Sequence, residues 1–135
     1  MYNINMAEEG KNKIIIVDDD DFLVNMYATK FNSSNILVEA CKSGEDFLEK
    51  LKTATDIDLI LLDIIMPGMS GIDILNEMRN NKLGENIPVM ILTNQSDEKD
   101  INEAKKLGVA GYIVKSAATP SEVVNEVINI IKKSK

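Results

Sequence analysis

The chain contains no histidine and no tryptophan, and cysteine occurs only once among its 135 residues. A single thiol cannot form a disulfide within the chain, and the missing histidines argue strongly against a zinc site. Cys41 lies in the strand-like stretch Leu37–Cys41, where we interpret it as a small buried apolar residue. The chemistry of this protein must therefore rest on other side chains.

Positive charge and long apolar runs are also scarce. Fifteen Lys and Arg against 22 Asp and Glu give a formal net charge of -7, which argues against direct binding of nucleic acid phosphates. No run approaches the roughly 18 apolar residues of a membrane span. The first 13 residues include Glu8 and Glu9 and lack the apolar core of a signal peptide. We therefore expect a cytoplasmic protein without membrane contact.

Hydrophobic residues make up 44% of the chain, which is enough for one buried core in a domain of this length. Residues 1–12 are polar and aperiodic and are predicted to form a short disordered tail, with one domain over residues 13–135. At this length we expect either a complete single-domain protein or one domain cut from a longer chain.

Five short apolar segments alternate with five helical patterns. The predicted strands are 14–17, about 36–41, 57–62, 87–92 and 109–114, and the predicted helices are about 20–32, 44–53, 70–81, 97–107 and 119–133. Strands that are apolar almost throughout are typical of a sheet buried on both faces. The alternation predicts an α/β fold, a doubly wound parallel sheet with helices on both sides.

Three helices have apolar faces that bear on packing. In the first helix, the spacing places Phe22, Leu23, Met26, Tyr27 and Phe31 on one side, which predicts a core-facing stripe. The third helix is predicted to bury Ile72, Leu75 and Met78. In the fifth helix the apolar arc is wider than a single stripe needs, which fits either a well-buried helix or a homodimer or partner surface; its members are Val123, Val124, Val127, Ile128, Ile130 and Ile131.

Polar side chains occur where four of the predicted strands end. Asp18 and Asp19 follow the first strand, Asp63 follows the third, Thr93 the fourth and Lys115 the fifth. Each has an ordinary interpretation: a solvated acidic turn, a carboxylate before a helix, a β-branched strand residue, a surface lysine. Ligands of parallel sheets bind outside the carboxyl ends of the strands, so the joint placement favours a site.

Carboxylates that meet at one edge repel and raise each other's pKa unless a cation neutralises them. Carboxylate oxygens suit Mg²⁺. A carboxylate beside Mg²⁺ can attack phosphorus to form an aspartyl phosphate, which would be the role of Asp63. The Thr93 hydroxyl and the Lys115 ammonium could neutralise the remaining phosphoryl oxygens.

On these residues the sequence resembles a receiver domain of the bacterial-type response regulators, over about residues 12–135. Val17–Asp19 matches the acidic pair of that family, and residues 61–71 (LLDIIMPGMSG) match its phosphoacceptor strand and Pro-Gly loop. Leu92–Thr93 and Tyr112–Lys115 match its switch hydroxyl, its switch aromatic residue and its lysine. The resemblance implies a flavodoxin-like sheet in the order 2-1-3-4-5. Because no output domain is expected within 135 residues, it also implies a stand-alone regulator, a phosphorelay shuttle, or a receiver cut from a longer chain.

The resemblance also implies roles for single residues. Asp63 would accept a phosphoryl group from the phosphohistidine of a sensor histidine kinase or a histidine phosphotransfer protein. Mg²⁺, with Mn²⁺ as an alternative, would be held directly by Asp19 and Asp63, mainly through water by Asp18, and by the backbone carbonyl of Ile65.

On phosphorylation, the resemblance implies that Thr93 and Tyr112 turn inward. This would change the surface of the fourth helix, fifth strand and fifth helix, where a downstream protein or a second copy would bind. Such a domain phosphorylates and dephosphorylates itself, so it is not expected to be an enzyme with an external substrate.

Two positions depart from the family pattern, and two more lie where the family has no fixed residue. Ser116 follows Lys115 where the family usually has a proline, often in a cis peptide, and a cis Lys115–Ser116 bond would cost ~2.5–4 kcal/mol. Asn94 replaces a usually small residue after Thr93 and could shield the phosphoryl group. Ile65 and Gln95 occupy positions that commonly tune dephosphorylation in the family, and an apolar Ile65 cannot orient a water molecule.

Two other functions are compatible with parts of the pattern. Haloacid-dehalogenase-like phosphatases use a strand-end Asp, a second Asp two residues later and Thr or Val after two more; Asp18 and Asp20 match, but Phe22 does not. A pseudo-receiver would bind partners without phosphorylation, and its signature is a missing Asp, Thr or Lys. Labelling with acetyl phosphate and Mg²⁺ would separate the three functions.

Overall fold

Strands and helices alternate through the described residues of the computed structural model, 11–94 and 98–134. The strands are β1 (Asn12–Val17), β2 (Ile36–Cys41), β3 (Leu59–Asp63), β4 (Val89–Thr93) and β5 (Gly111–Val114). The helices are α1 (Asp21–Asn32), α2 (Gly44–Leu51), α3 (Gly71–Asn80), α4 (Glu98–Lys106) and α5 (Pro120–Ser134), with a 3₁₀ turn at Lys115–Ala117. The predicted number and alternation of elements are confirmed.

The strands form one parallel sheet in the order β2-β1-β3-β4-β5, which confirms the predicted flavodoxin-like topology. The register aligns the carboxyl ends: Val17 lies opposite Leu62, Asp63 opposite Leu92, and Thr93 opposite Val114. The residues that follow β1, β3, β4 and β5 therefore share one edge of the sheet.

The core has two layers because alternate residues of each strand point to opposite faces. In β1, Ile14 and Ile16 join the layer beneath α1 and α5, whereas Ile15 and Val17 join the layer beneath α2 and α3. The strands β3 and β4 are buried along their whole length. The sheet is thus covered on both faces, as the continuous apolar runs predict.

Two of the helices begin with reciprocal side-chain caps. Ser70 caps α3 in a reciprocal pair with Asp73, in which each side chain accepts the other residue's backbone N–H. Thr119 and Glu122 make the same exchange at the start of α5, with Pro120 as the first helical residue. These caps satisfy backbone donors that would otherwise lack partners.

Several predicted boundaries were wrong by two residues. The apolar residues Ile57, Ile87 and Val109 precede β3, β4 and β5, and they pack against the core from loops rather than from strands. At the other end of the sheet, β1 begins at Asn12, because that residue pairs with Ile36. Asn12 thus belongs to β1 rather than to the predicted tail, and the rest of that prediction falls on residues 1–10, which lie outside the described part of the chain.

The predicted stripe of α1 was wrong at its first position. Phe22 is 80% exposed, and the buried residues of the helix are Val24, Tyr27 and Phe31. Their spacing of three and four defines a face that Phe22 does not share. A similar shift occurs in α3, where Ile74 is buried and Ile72 is only partly buried.

The wide apolar arc of α5 is accounted for largely by the core. Four of its residues are buried, and Ile128 and Ile130 are partly buried against the same layer. This supports the well-buried interpretation of the helix; a homodimer through this face stays a prediction. None of the helices in the described part of the chain has the length and apolar character needed to cross a bilayer.

Candidate functional site

Three polar side chains are buried at the carboxyl edge of the sheet. Asp63 is the last residue of β3 and is 5% exposed, Thr93 is the last residue of β4, and Asp18 follows β1 and is 2% exposed. Charged groups are rarely buried unless they are paired. The fold therefore maintains an acidic pocket that packing alone would not favour.

Asp18, Asp19 and Asp63 converge closely enough to share one ion. One carboxylate oxygen from each lies within 4.8 Å of the others, and Asp19 is the exposed member of the group. A donor set made only of carboxylate oxygens fits a hard divalent cation such as Mg²⁺. The residues present are thus compatible with the predicted metal.

The four residues of the run Asp18–Asp21 do not all serve the pocket. The Asp20 backbone N–H donates to Asp18 Oδ1 over 3.0 Å, and Asp20 Oδ1 in turn accepts the backbone N–H of Leu23 over 3.1 Å. Asp20 is therefore the N-cap of α1. Asp21 pairs with Lys42 on the exposed surface at 3.1 Å. Only Asp18 and Asp19 of this run take part in the carboxylate cluster.

Lys115 supplies the counter-charge inside the pocket. Its Nζ lies 2.7 Å from Asp18 Oδ2 and 3.5 Å from Asp63 Oδ2, and its side chain is almost fully buried. Burial by itself would lower the pKa of Lys115, but the hydrogen bond to Asp18 and the charge of Asp63 outweigh it and raise the pKa. The lysine therefore stays protonated between the two carboxylates.

Burial raises the pKa of Asp63 to about 6. The Lys115 charge opposes this shift, and the neighbouring Asp18 charge adds to it. The backbone N–H of Ile65 donates to Asp63 Oδ1 over 3.3 Å. Without a cation, the Asp63 carboxylate is therefore costly to ionise but remains ionised for the most part at neutral pH.

Gly71 allows the loop after β3 to turn tightly against the end of that strand. The Gly71 N–H donates to the Ile64 carbonyl over 2.7 Å, and a Cβ at position 71 would lie 2.4 Å from the Asp63 carbonyl oxygen. No larger residue fits there without moving the backbone of Asp63. Earlier in the loop, Gly68 has a φ of 79°, a conformation that side chains disfavour.

The backbone after β5 resolves the geometry at Ser116. No cis peptide bond occurs among the described residues, and Ser116 lies within the 3₁₀ turn that follows β5. Lys115 therefore lies in the pocket although the Lys115–Ser116 peptide is trans and the proline usual in the family that the sequence resembles is missing. Asn94, after Thr93, is exposed, and Gln95 lies outside the described residues.

The Tyr112 side of the sheet contains two contacts that the sequence did not predict. Tyr112 is 44% exposed, and Lys105 of α4 places its Nζ 5.4 Å from the centroid of the Tyr112 ring. Arg79 of α3 donates from Nε to the Leu107 carbonyl over 2.7 Å, and from a terminal nitrogen to the Gly108 carbonyl over 3.5 Å. Cations in the last turn of a helix usually interact with the helix dipole, so no pattern in the sequence indicated these partners.

Comparison with known proteins shows one consistent similarity. Residues 14–128 match the model of the response regulator receiver domain. The chain is 35% identical over 122 residues to "Response regulator SaeR" of Staphylococcus aureus, covering 90% of this chain and 51% of that protein. It is 33% identical over 120 residues to a "Probable cyclic di-GMP phosphodiesterase" of Vibrio cholerae, covering 89% of this chain and 27% of that protein.

Among solved structures, the receiver domain of Francisella response regulator 1452 superposes with a TM-score of 0.82 at 27% identity. The match covers 93% of this chain and 100% of that one. The chain spans about half the length, or less, of the two full-length relatives that it matches.

Proposed function

This chain belongs to the family of response regulator receiver domains, and from that premise we propose that Asp63 accepts a phosphoryl group from the phosphohistidine of a partner protein. One observation carries the proposal: the buried carboxylates of Asp18 and Asp63 share the Lys115 ammonium at the carboxyl edge of the sheet. A carboxylate at a strand end, with a cation 3.5 Å away, is suited to attack an anionic phosphoryl group.

In the reaction, an Asp63 oxygen forms a bond to phosphorus as the bond from phosphorus to the donor imidazole nitrogen breaks. The nitrogen retains the electron pair of that bond, and the other ring nitrogen of the donor carries a proton, so the donor leaves as a neutral imidazole. Lys115 and the Thr93 hydroxyl would each neutralise or hydrogen-bond a phosphoryl oxygen. The protein mainly positions these groups, because phosphoryl transfer requires little other chemistry from it.

A divalent cation fits this site through the three carboxylates described above. We assign Mg²⁺, with Mn²⁺ as an alternative, to Asp19 and Asp63 directly, to Asp18 mainly through water, and to the Ile65 backbone carbonyl. When bound, the ion would neutralise negative charge on the phosphoryl group.

Phosphorylation would act on the face formed by α4, β5 and α5. A phosphoryl group offers the Thr93 hydroxyl a charged acceptor. As Thr93 moves toward it, Tyr112 would turn inward and alter the surface seen by a downstream protein or a second copy. The exposed position of Tyr112 supports this role, because the ring is not already held in the core.

The donor is proposed to be a sensor histidine kinase or a histidine phosphotransfer protein, because this chain contains no histidine. The exposed apolar residues Phe22 and Ile65 support a protein partner at the pocket. Phe22 lies three residues after Asp19 and Ile65 two residues after Asp63, so both lie near its opening. A partner surface that covers these residues would also exclude water from the reacting carboxylate. A cytoplasmic location stays a prediction.

The phosphatase alternative is weakened by Asp20, which caps α1 and does not belong to the carboxylate cluster. A pseudo-receiver is not favoured either, because Asp63, Thr93 and Lys115 are all present at the sheet edge. Signalling without turnover of an external substrate is therefore the function that the residues support best.

The test is labelling with acetyl phosphate and Mg²⁺. The wild type should gain one phosphoryl group that is labile in base, and Asp63→Asn should gain none, because an amide is a poor nucleophile. The matched control is Asp20→Asn, which removes a neighbouring carboxylate but keeps a good N-cap residue. It should label normally.

A label that survives in Asp63→Asn would contradict the assignment. Continuous turnover of acetyl phosphate that is lost in Asp20→Asn would favour the phosphatase alternative instead.

A further inference from the structure

A groove between α4 and β5 has Tyr112 on one side. Its volume is about 420 Å³, and it is lined by Glu98, Ile101, Asn102, Lys105 and Tyr112. The Lys105 ammonium lies over the Tyr112 ring, 5.4 Å from its centroid. Within the described residues, Lys105 forms no salt bridge, so the ring is the contact available to its charge.

We propose that Lys105 acts as a latch that holds Tyr112 in its outward orientation before phosphorylation. The inference deepens the proposed function, and its switching role rests on that function. An ammonium over the face of an exposed aromatic ring stabilises the arrangement through the ring quadrupole. When Tyr112 turns inward, the ring leaves Lys105, and this stabilisation is lost.

The position of Lys105 is set by two features of the α4 end. Arg79 donates to the carbonyls of Leu107 and Gly108, the residues that follow this helix. Gly108 adopts a φ of 84°, which ends the helix in a left-handed turn. Because this end of α4 is tied to α3, Lys105 is held beside β5 rather than on a loose helix terminus.

The latch contributes to the balance between two orientations of Tyr112. A ligand or modification shifts such a balance only through its differential interaction with the two states. An exposed cation–ring contact changes the ratio of inward to outward Tyr112 by about two- to five-fold. The phosphoryl group must overcome this factor, so Lys105 would set how strongly the unphosphorylated state is favoured.

The experiment uses the unphosphorylated full chain in EDTA, with its three tyrosines labelled with ¹³C at the ring ε carbons. NMR would follow the Tyr112 signal, assigned from Tyr112→Phe. Lys105→Met should increase the inward fraction about two- to five-fold, while Lys105→Arg should retain the outward state because it keeps a cation. Lys106→Met removes an adjacent exposed charge and should leave Tyr112 unchanged.

Three outcomes would overturn the latch. These are a wild-type Tyr112 signal in Lys105→Met, the same shift in Lys106→Met, or an inward shift in Lys105→Arg equal to that of the methionine variant. Lys105→Gln provides a second neutral variant if methionine disturbs the fold, which circular dichroism would detect. Because these spectra need no phosphorylation, they stay informative even if Asp63 labelling fails.

If the proposed function holds, a further readout follows. Lys105→Met should be phosphorylated by acetyl phosphate about two- to five-fold faster than the wild type, because more of it starts in the inward state. An unchanged rate together with an increased inward fraction would separate Tyr112 orientation from reactivity at Asp63.

Discussion

In the acidic pocket, Asp18 and Asp63 are almost completely buried and share one ammonium group, whereas on the α4–β5 face the Tyr112 ring is half exposed and contacts a single lysine. The helices beside the two regions differ in the same way. In α3, the helix that follows Asp63, four residues are buried, but in α4 only Ile101 and Ala104 are. Phosphoryl transfer requires reacting groups that are held in fixed positions. A segment that switches between conformations must instead move at a low free-energy cost.

The largest effect is expected when the ammonium of Lys115, which Asp18 and Asp63 share, is removed from the pocket. Lys115→Met should slow phosphorylation by acetyl phosphate about 10²- to 10³-fold, the usual cost of losing a charged or hydrogen-bonding group that stabilises a transition state. The rate would be measured with Mg²⁺ at saturation. Lys42→Met is the matched control, because it removes a lysine that pairs with Asp21 on the exposed surface. Equal rates in the two variants would contradict the role of Lys115.

A second test concerns the pH dependence of the pocket. The pKa of Asp63 is raised to about 6 from an ordinary value of 3.8, so the folded state binds this proton more tightly than the unfolded state does. The contribution of protonated Asp63 to the free energy of unfolding is complete below its pKa in the unfolded state. It is lost as the pH rises through its folded-state pKa of about 6. Ionised Asp63 should therefore destabilise the metal-free protein at neutral pH, by on the order of 2–3 kcal/mol.

This effect can be isolated by comparing the wild type with Asp63→Asn, since the other groups titrate in both. Urea unfolding in EDTA should show that the variant gains stability relative to the wild type between pH 4 and pH 8. Adding Mg²⁺ at pH 8 should then stabilise the wild type more than the variant, since the variant lacks one carboxylate ligand. If the stability difference between the two proteins does not change with pH, ionising Asp63 in the folded protein does not have this free-energy cost.

The smallest expected effect lies at the opening of the pocket. Phe22→Ala should slow phosphoryl transfer from a histidine phosphotransfer protein by about ten-fold, because exposed aromatic residues often supply much of the energy of a protein interface. Labelling by acetyl phosphate should not change, because this donor needs no docking surface. If phosphorylation by both donors slows, Phe22 stabilises the pocket itself. In that case α1 is part of the fixed pocket and not only of its docking surface.

The sequence was most informative about residues whose position follows from topology. Asp18, Asp63, Thr93 and Lys115 each end or follow a strand, and parallel strands bring such residues to one edge whatever the details of packing. The exposure of Phe22 was missed because the apolar spacing of α1 allows two overlapping faces, and only tertiary contacts decide between them.

Local sequence patterns could not predict the contacts that join α4 and the residues after it to other elements. Arg79 meets the Leu107 carbonyl across 28 positions of the chain, and Lys105 of α4 meets Tyr112 of β5 across the turn that joins them. Neither pairing leaves a periodic signal, because each depends on how two elements are oriented after the sheet has formed. Most of the pocket could therefore be predicted, whereas the restraints on the α4–β5 face could not.

The anchor that Arg79 provides has a mechanical consequence. It fixes only the carboxyl end of α4, so a rotation of this helix would have its pivot near Leu107 and its largest displacement near Glu98. Nine helical residues span about 13 Å, so a tilt of about 10° would displace the far end by about 2 Å. The helix therefore has the geometry of a lever, in which a small rotation beside β5 becomes a larger movement at the end nearer β4.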